Sequence, residues 1–185
     1  MIKVFAPEKI ILDAGHHLKD PGAVHNGNTE FELMRNFRRK LAARLAKRGH
    51  TFIEDKDHET NRQFQNRIRP LLETGDITLS FHMNSSATGK ASGTEAFISR
   101  HAGRDSKAAA KEIVDGLSNI MNIRNRGVKV ESQSQHSRLG ILNMKGSAVL
   151  IEFGFIQTDL KVFLEKEEEI LDLIERIAIK YDRNK

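Results

Sequence analysis

Three apolar runs in this sequence end in residues able to bind a metal or move a proton. In IILDAGHHLKDPGA, residues 10–23, a run rich in isoleucine gives way to Asp13, a glycine and two histidines, His16 and His17. In DITLSFHMNSS an apolar run leads into His82, and in SAVLIEFGF Glu152 stands late in the most apolar run of the chain. An ionised carboxylate buried without a partner is strongly unfavourable, so Glu152 is expected to be partnered or to lie at an open edge. A histidine in such a place is by itself more often a structural or surface residue than a ligand. Three such strand ends in one chain make a stronger signal than any one. The chain has no cysteine, which removes disulfides, thiolate metal sites and a cysteine nucleophile. A metal would have to be held by His, Asp or Glu.

GNTEFELM offers a third donor in Glu30 or Glu32. Thr29 with Glu32 three residues later is a capping-box pattern, placing Thr29 at N-cap and Glu32 at N3. That occupies Glu32 and leaves Glu30, at N1, as the freer carboxylate, with Glu32 the alternative. Two histidines and one carboxylate form a hydrolytic zinc shell whose fourth position is left for water. A further carboxylate beside that water can act as general base. His16, Glu30, His82 and Glu152 supply this set. Around them, Asp13 reads as an acceptor orienting a ligating imidazole or as a cap of the following turn. His17 reads as a surface or supporting residue, because in extended backbone it points away from His16. In SQSQHSRLGIL, His136 and Arg138 read first as part of a surface loop and second as contacts for an anionic substrate.

These residues need elements to position them. KIILD, HTFIE, DITLSF, GTEAFIS and SAVLIEF read as strands. TEFELMRNFRRKLAARLAKRG spaces Leu33, Phe37, Leu41 and Leu45 on one helical face, and Gly49 stops it. NRQFQNRIRPLLETG reads as a helix with Phe64, Ile68 and Leu71 on one side, broken or kinked at Pro70. SKAAAKEIVDGLSNIMN reads as a helix with Ile113, Leu117 and Ile120 inward. TDLKVFLEKEEEILDLIERIAIKY closes the chain as one or two helices, with Ile170, Leu173, Ile174 and Ile177 inward. Strands alternating with helices predict an α/β fold: a single domain over residues 1–185, with a twisted, largely parallel central sheet flanked by helices. Sites in such sheets collect at the carboxyl ends of the strands.

A chain of 185 residues with 38% hydrophobic and 30% charged residues suits one such domain. No apolar run approaches membrane-spanning length, so no integral membrane segment is expected. MIKVFAPEK lacks the apolar core of a secretory signal. The net charge of +5 favours anionic partners without choosing among them. RNFRRKLAARLAKR reads as a solvated basic face in preference to a nucleic-acid surface, since it has no interleaved set of aromatic residues for stacking. EKEEEILDLIERI reads as a solvated acidic flank.

Taken in order, these segments resemble the zinc-dependent N-acetylmuramoyl-L-alanine amidases of the amidase_3 type, which cut the amide between the muramic acid lactyl group and L-alanine in peptidoglycan. IILDAGHHLKDPGA is similar to that family's opening strand and first zinc histidine. TEFELMRNFRRKLAARLAKRGH resembles its ligand glutamate and first long helix, and ITLSFHMNSS its second zinc histidine with an asparagine. GTEAFIS resembles the strand that follows that histidine, NRGVKV a short element before the substrate loop, and AVLIEFGFIQTD the segment with the catalytic glutamate. The family's apolar spacing after the ligand glutamate fits Glu30 and not Glu32. The resemblance implies that His16, Glu30 and His82 hold zinc and that Glu152 works on the water. Two departures stand out: His17 and Leu18 where the family has glycines, and GFIQTD where it often has an asparagine.

The resemblance further implies a monomeric catalytic domain with peptidoglycan as its partner and no separate wall-binding domain. It implies a phage-type endolysin or wall-remodelling enzyme, made in the cytoplasm without a signal peptide and released to the wall by a holin. The competing readings are a zinc peptidase cutting another bond of the stem peptide, and a non-catalytic wall- or nucleic-acid-binding module.

Overall fold

The computed structural model of the chain describes residues 9–135 and 137–182. His136 and the N-terminal segment ahead of residue 9 lie outside them. In chain order the elements are β1 (Ile10–Asp13), β2 (Val24–His25), β3 (Asn28–Thr29), α1 (Glu30–Lys47), β4 (Phe52–Glu54), α2 (Asn61–Ile68), β5 (Ile77–Asn84), β6 (Thr94–Ile98), α3 (Arg104–Met121), β7 (Asn125–Val130), β8 (Ser147–Phe155), α4 (Leu160–Glu165) and α5 (Glu167–Tyr181). Six strands form one sheet in the order β4-β1-β5-β8-β6-β7, and β2 and β3 form a separate hairpin. Every contact in the large sheet is parallel except that of β6 with β8. This is the expected largely parallel α/β sheet flanked by helices.

Alternation of side chains along the strands divides the core in two. On one face Leu12, Leu79, Phe81, Ile151 and Phe153 meet the apolar sides of α1, α3 and α5. On the other Ile11, Phe97 and Leu150 meet Phe64 and Ile68 of α2 and the short helical turn Gly140–Asn143. His82 and Glu152 fall on this second face. Their neighbours Phe81 and Phe153 point into the larger core, where Phe37 sits 5.3 and 4.9 Å from them and Phe163 lies 5.2 Å from Phe153, ring centre to ring centre. Each buried phenylalanine contributes roughly 1.5–3 kcal/mol, so the strands that carry His82 and Glu152 are fixed from behind.

Three expectations shift in detail. Strand β5 runs on to Asn84, with an irregularity between His82 and Asn84, so His82 lies within its strand and not beyond it, while Glu152 lies within β8, which runs on to Phe155. Helix α2 ends at Ile68, because Pro70 tightens the next turn into the 3₁₀ segment Arg69–Leu71. That rotation leaves Leu71 46% exposed, off the apolar face expected for it. The basic face of α1 and the acidic flank of α5 are also not separate solvated surfaces. Arg44 pairs with Glu168, Asp172 and Glu175, Arg48 with Glu175 and Lys40 with Glu167. Among the described residues no helix is long and apolar enough to cross a membrane.

Candidate metal centre and active site

His16 is presented by a tight turn. Asp13, at the end of β1, accepts from Gly15 N–H at 3.2 Å and from Ser80 Oγ at 2.6 Å. Asp55 accepts from Ala14 N–H at 3.0 Å and is paired with the buried Arg38 at 2.6 Å. Gly15 has a φ of +78°, and a Cβ there would lie 2.4 Å from the His82 ring. Only glycine lets the turn pass this close to the second histidine. Asp13 therefore caps the turn and does not orient the imidazole. That role falls to Asp20, whose Oδ2 lies 3.0 Å from His16 Nδ1, leaving Nε2 turned inward. His17 stands apart, its backbone bridged to Asp20.

Glu30 is delivered by the hairpin β2–β3. Asn26 and Gly27 at its tip have φ of +47° and +79°, the conformation that a two-residue Asn-Gly turn provides. The hairpin ends on Thr29, which is the N-cap of α1: its Oγ1 accepts from Glu32 N–H at 3.2 Å. Glu30 is thus the first residue of α1, and it is buried. Its Oε2 accepts from Ala23 N–H at 2.9 Å and its Oε1 from Met83 N–H at 3.0 Å.

Glu30 Oε1 lies 2.9 Å from His82 Nδ1 and 3.3 Å from His16 Nε2. Each of the three residues offers a donor atom within 4.8 Å of the others. Such separations are about those of ligands around one tetrahedral zinc with bonds of ~2.0–2.2 Å. Burial pushes the His16 imidazole down, but the hydrogen bond to Glu30 and its charge, with Asp20, outweigh it and hold the group up at about 9. His82 is likewise raised, burial being outweighed by Glu30 and Glu152. Burial pushes Glu30 up, yet the two histidines hold it well below the usual carboxylate range. Two imidazoles and a carboxylate thus crowd together in one cluster of possible metal donors.

Glu152 is the register partner of His82 on one side and of Glu95 on the other, so one rung of the sheet carries all three. Its Oε2 is buried with no hydrogen-bond partner. Burial pushes its carboxyl up to about 8; His82 pulls it down, and Glu30 and Glu95 push it up further. The two exits offered by the sequence, a partner or an open edge, resolve into an orphaned oxygen on the wall of a cleft. That cleft, of about 700 Å³, is lined by His16, Glu30, His82 and Glu152 and also by Arg138.

Four further residues shape the site without having been singled out in the sequence. Asp20 and Glu95 are two of them. Glu131, buried, accepts from Leu139 N–H and Asn143 Nδ2, both at 2.7 Å, and so ties down the segment bearing Arg138. Asp159, buried, accepts from Gly93 N–H at 3.0 Å, Phe155 N–H at 2.8 Å and Ser92 Oγ at 2.6 Å. The departure from the family pattern at GFIQTD is therefore a loop closed on Asp159. A polar residue in an otherwise apolar stretch, as Glu95 is in TEAFI, was the available signal.

The family model for N-acetylmuramoyl-L-alanine amidase (Amidase_3) matches residues 10–177. The chain is 27% identical over 151 residues to the N-acetylmuramoyl-L-alanine amidase LytC of Bacillus subtilis, covering 80% of this chain and 29% of that protein. It is 26% identical over 163 residues to the endolysin of Bacillus phage SPP1, covering 87% of this chain and 59% of that one. The chain thus spans less than a third of the first relative and less than two thirds of the second. Among solved structures, the catalytic domain of the amidase CwlV from Paenibacillus polymyxa superposes with a TM-score of 0.79 at 22% identity, covering 96% of this chain and 99% of that one. The catalytic domain of the CD27L endolysin superposes with a TM-score of 0.72 at 25% identity, covering 94% and 97%.

Proposed function

Because this chain belongs to the N-acetylmuramoyl-L-alanine amidase family, we propose that it is a zinc hydrolase of peptidoglycan, cutting the amide between N-acetylmuramic acid and L-alanine. The observation that carries this reading is the gathering of His16, Glu30 and His82 donors beside an unpartnered buried oxygen of Glu152. His16 Nε2, Glu30 Oε1 and His82 Nδ1 would hold the ion, with Asp20 fixing the His16 ring. A zinc ion held there would supply Lewis acidity, which polarises a carbonyl and makes water acidic enough to lose a proton near neutral pH.

The rest of the work falls to the chain. Glu152 Oε2, with no other partner to satisfy, takes the proton from the attacking water and returns it to the departing amine nitrogen. Burial raises its affinity for a proton in the metal-free chain, and a cation held beside it would lower that affinity toward the range in which a carboxyl serves as base and then acid near neutral pH. The cleft wall on the α2 side, with Asn61, Phe64 and Gln65, positions the substrate and excludes water from one side.

We read residues 1–185 as a single catalytic domain that works on cell walls, in lysis or in remodelling; the likeness to a phage endolysin supports the lytic setting. The test is incubation with isolated peptidoglycan, with and without a zinc chelator, and mass spectrometry of the products. Chelator-sensitive release of peptides that begin with L-alanine is expected. Cuts elsewhere in the stem would identify a zinc peptidase instead. No release from several wall types would favour a binding module.

A further inference from the structure

Strand β7 forms the edge of the sheet, and it is irregular. Thr94 pairs with Asn125 and Ala96 with Val128, so two steps along β6 match three along β7. Gly127 lies in the extra step, with a left-handed φ of +83° and its N–H taken by Asn125 Oδ1 at 2.8 Å. An extra residue in a strand re-aims the side chains on either side of it. Regular alternation would send Arg126 and Lys129, three apart, to opposite faces. With the bulge between them both reach the same place: Arg126 Nε donates to Glu95 Oε2 at 2.8 Å, and Lys129 Nζ donates to the same oxygen.

That place is the wall of the catalytic cleft. Arg126 and Lys129 both line it, and each side chain is 27% exposed. Their positions are set by aromatic residues of the same cleft: the Arg126 guanidinium lies 5.0 Å from the Phe155 ring centre and Lys129 Nζ 5.8 Å from that of Phe97. Glu95 is buried, receives Asn84 Nδ2 at 2.9 Å as well, and is one rung position from Glu152. Two cations therefore share one carboxylate that already has a neutral donor. Neutralising Glu95 requires one positive charge; the second is surplus, and it faces the cleft that Glu152 also lines.

We propose that Arg126 and Lys129 form a carboxylate-binding subsite, receiving an acidic group of the peptide whose amide bond is cut. Glu95, braced by Asn84, holds both cations in place until the substrate carboxylate takes up the surplus charge. The bulge at Gly127 is the device that brings the two cations onto one face. This assignment rests on the amide-hydrolase reading above and adds a substrate preference to it: a free carboxylate on the stem over its carboxamide.

The test compares two synthetic muropeptides that differ only in whether the residue after L-alanine bears a free carboxylate or a carboxamide. With the zinc-loaded protein, kcat/KM should favour the carboxylate form on the order of tenfold, through KM, as for a charge-assisted hydrogen bond at a partly exposed site. Lys129→Met, which keeps the aliphatic stem over Phe97, should lower that ratio severalfold. Arg126→Met should do the same, and Arg126→Lys should restore part of it. A wild-type protein without preference, or variants that slow both substrates equally and leave the ratio intact, would overturn the subsite and leave the pair as a counter-charge for Glu95. If neither substrate is cut, the amidase reading falls by itself. Calorimetric binding of the acidic and amidated peptides to the wild-type and Lys129→Met proteins then decides the subsite: a preference for the acid that the substitution removes supports it, and equal affinities refute it.

Discussion

Replacing Glu152 with glutamine should make the metal-free protein more stable at alkaline pH while abolishing its turnover. The Glu152 carboxyl is displaced from 4.5 to about 8, with burial the largest cause. The folded chain therefore holds a proton that the unfolded chain has already lost between roughly pH 4 and 8. Stability falls as pH rises through that window; below it both states are protonated and no penalty remains. The full displacement corresponds to roughly 5 kcal/mol at 1.36 kcal/mol per pH unit. Glu152 is partly exposed at the cleft, so solvent screening brings the expected figure to about 2 kcal/mol. Glutamine keeps the shape and removes the charge. Thermal melts in chelator should show the two proteins coinciding near pH 4 and Glu152→Gln melting about 4–8 °C higher at pH 8. Added zinc should narrow the gap, because a cation beside the carboxylate relieves its penalty. The variant should still bind zinc but release no peptide from walls. Identical pH dependence in the two proteins, or a less stable variant at pH 8, would mean that Glu152 has a partner, and the reasoning from its orphaned oxygen would fail.

Other perturbations read different parts of the site. Gly15→Ala places a Cβ 2.4 Å from the His82 ring in a left-handed turn, so zinc content measured by elemental analysis should drop sharply while the helical circular dichroism persists. Asp20→Ala frees the His16 ring and should weaken zinc roughly 10–100-fold in a competitive chelator titration; unchanged affinity would remove Asp20 from the site. Burial pushes Glu131 up, but Leu139 N–H and Asn143 hold its pKa below the usual value, so its contribution is complete above roughly pH 4.3 and lost as pH falls through the lower folded value. Glu131→Gln should therefore flatten the acid limb of urea-midpoint curves between pH 3 and 6. Thr29→Ala should cost about 1 kcal/mol by removing the cap of α1, and zinc affinity should fall with it if the cap also sets where Glu30 begins.

Much of the candidate site was legible because it depends on local rules. Apolar runs located β1, β5 and β8. The Thr29–Glu32 pattern placed the start of α1 at Glu30, and Pro70 marked the end of the helix before it. The Asn-Gly at 26–27 carried a hairpin signal as well, unread because two-residue strands have no periodicity to detect. Where the reading stayed open or failed, the partner was distant in sequence. Asp13 had two local roles open to it, and Ser80, 67 positions away, helps to decide between them. The basic stretch of α1 and the acidic stretch of α5 each look solvated alone. They are more than 120 positions apart, and only their packing makes them one ion-paired surface.

The sequence by itself determined which residue types were available and near which elements they fall: no thiolates, two histidines and two glutamates in or beside strands and at a helix start, and an alternating α/β order. Tertiary structure decided the distances. It brought Glu30 Oε1 within 3.3 Å of His16 Nε2 and 2.9 Å of His82 Nδ1. It aligned His82, Glu152 and Glu95 on one rung, and through a single extra residue in β7 it turned Arg126 and Lys129 toward the same carboxylate. The physical reason is that periodicity and capping are short-range properties of the chain. Register between strands, and the charge environment that register creates, exist only once the sheet is assembled.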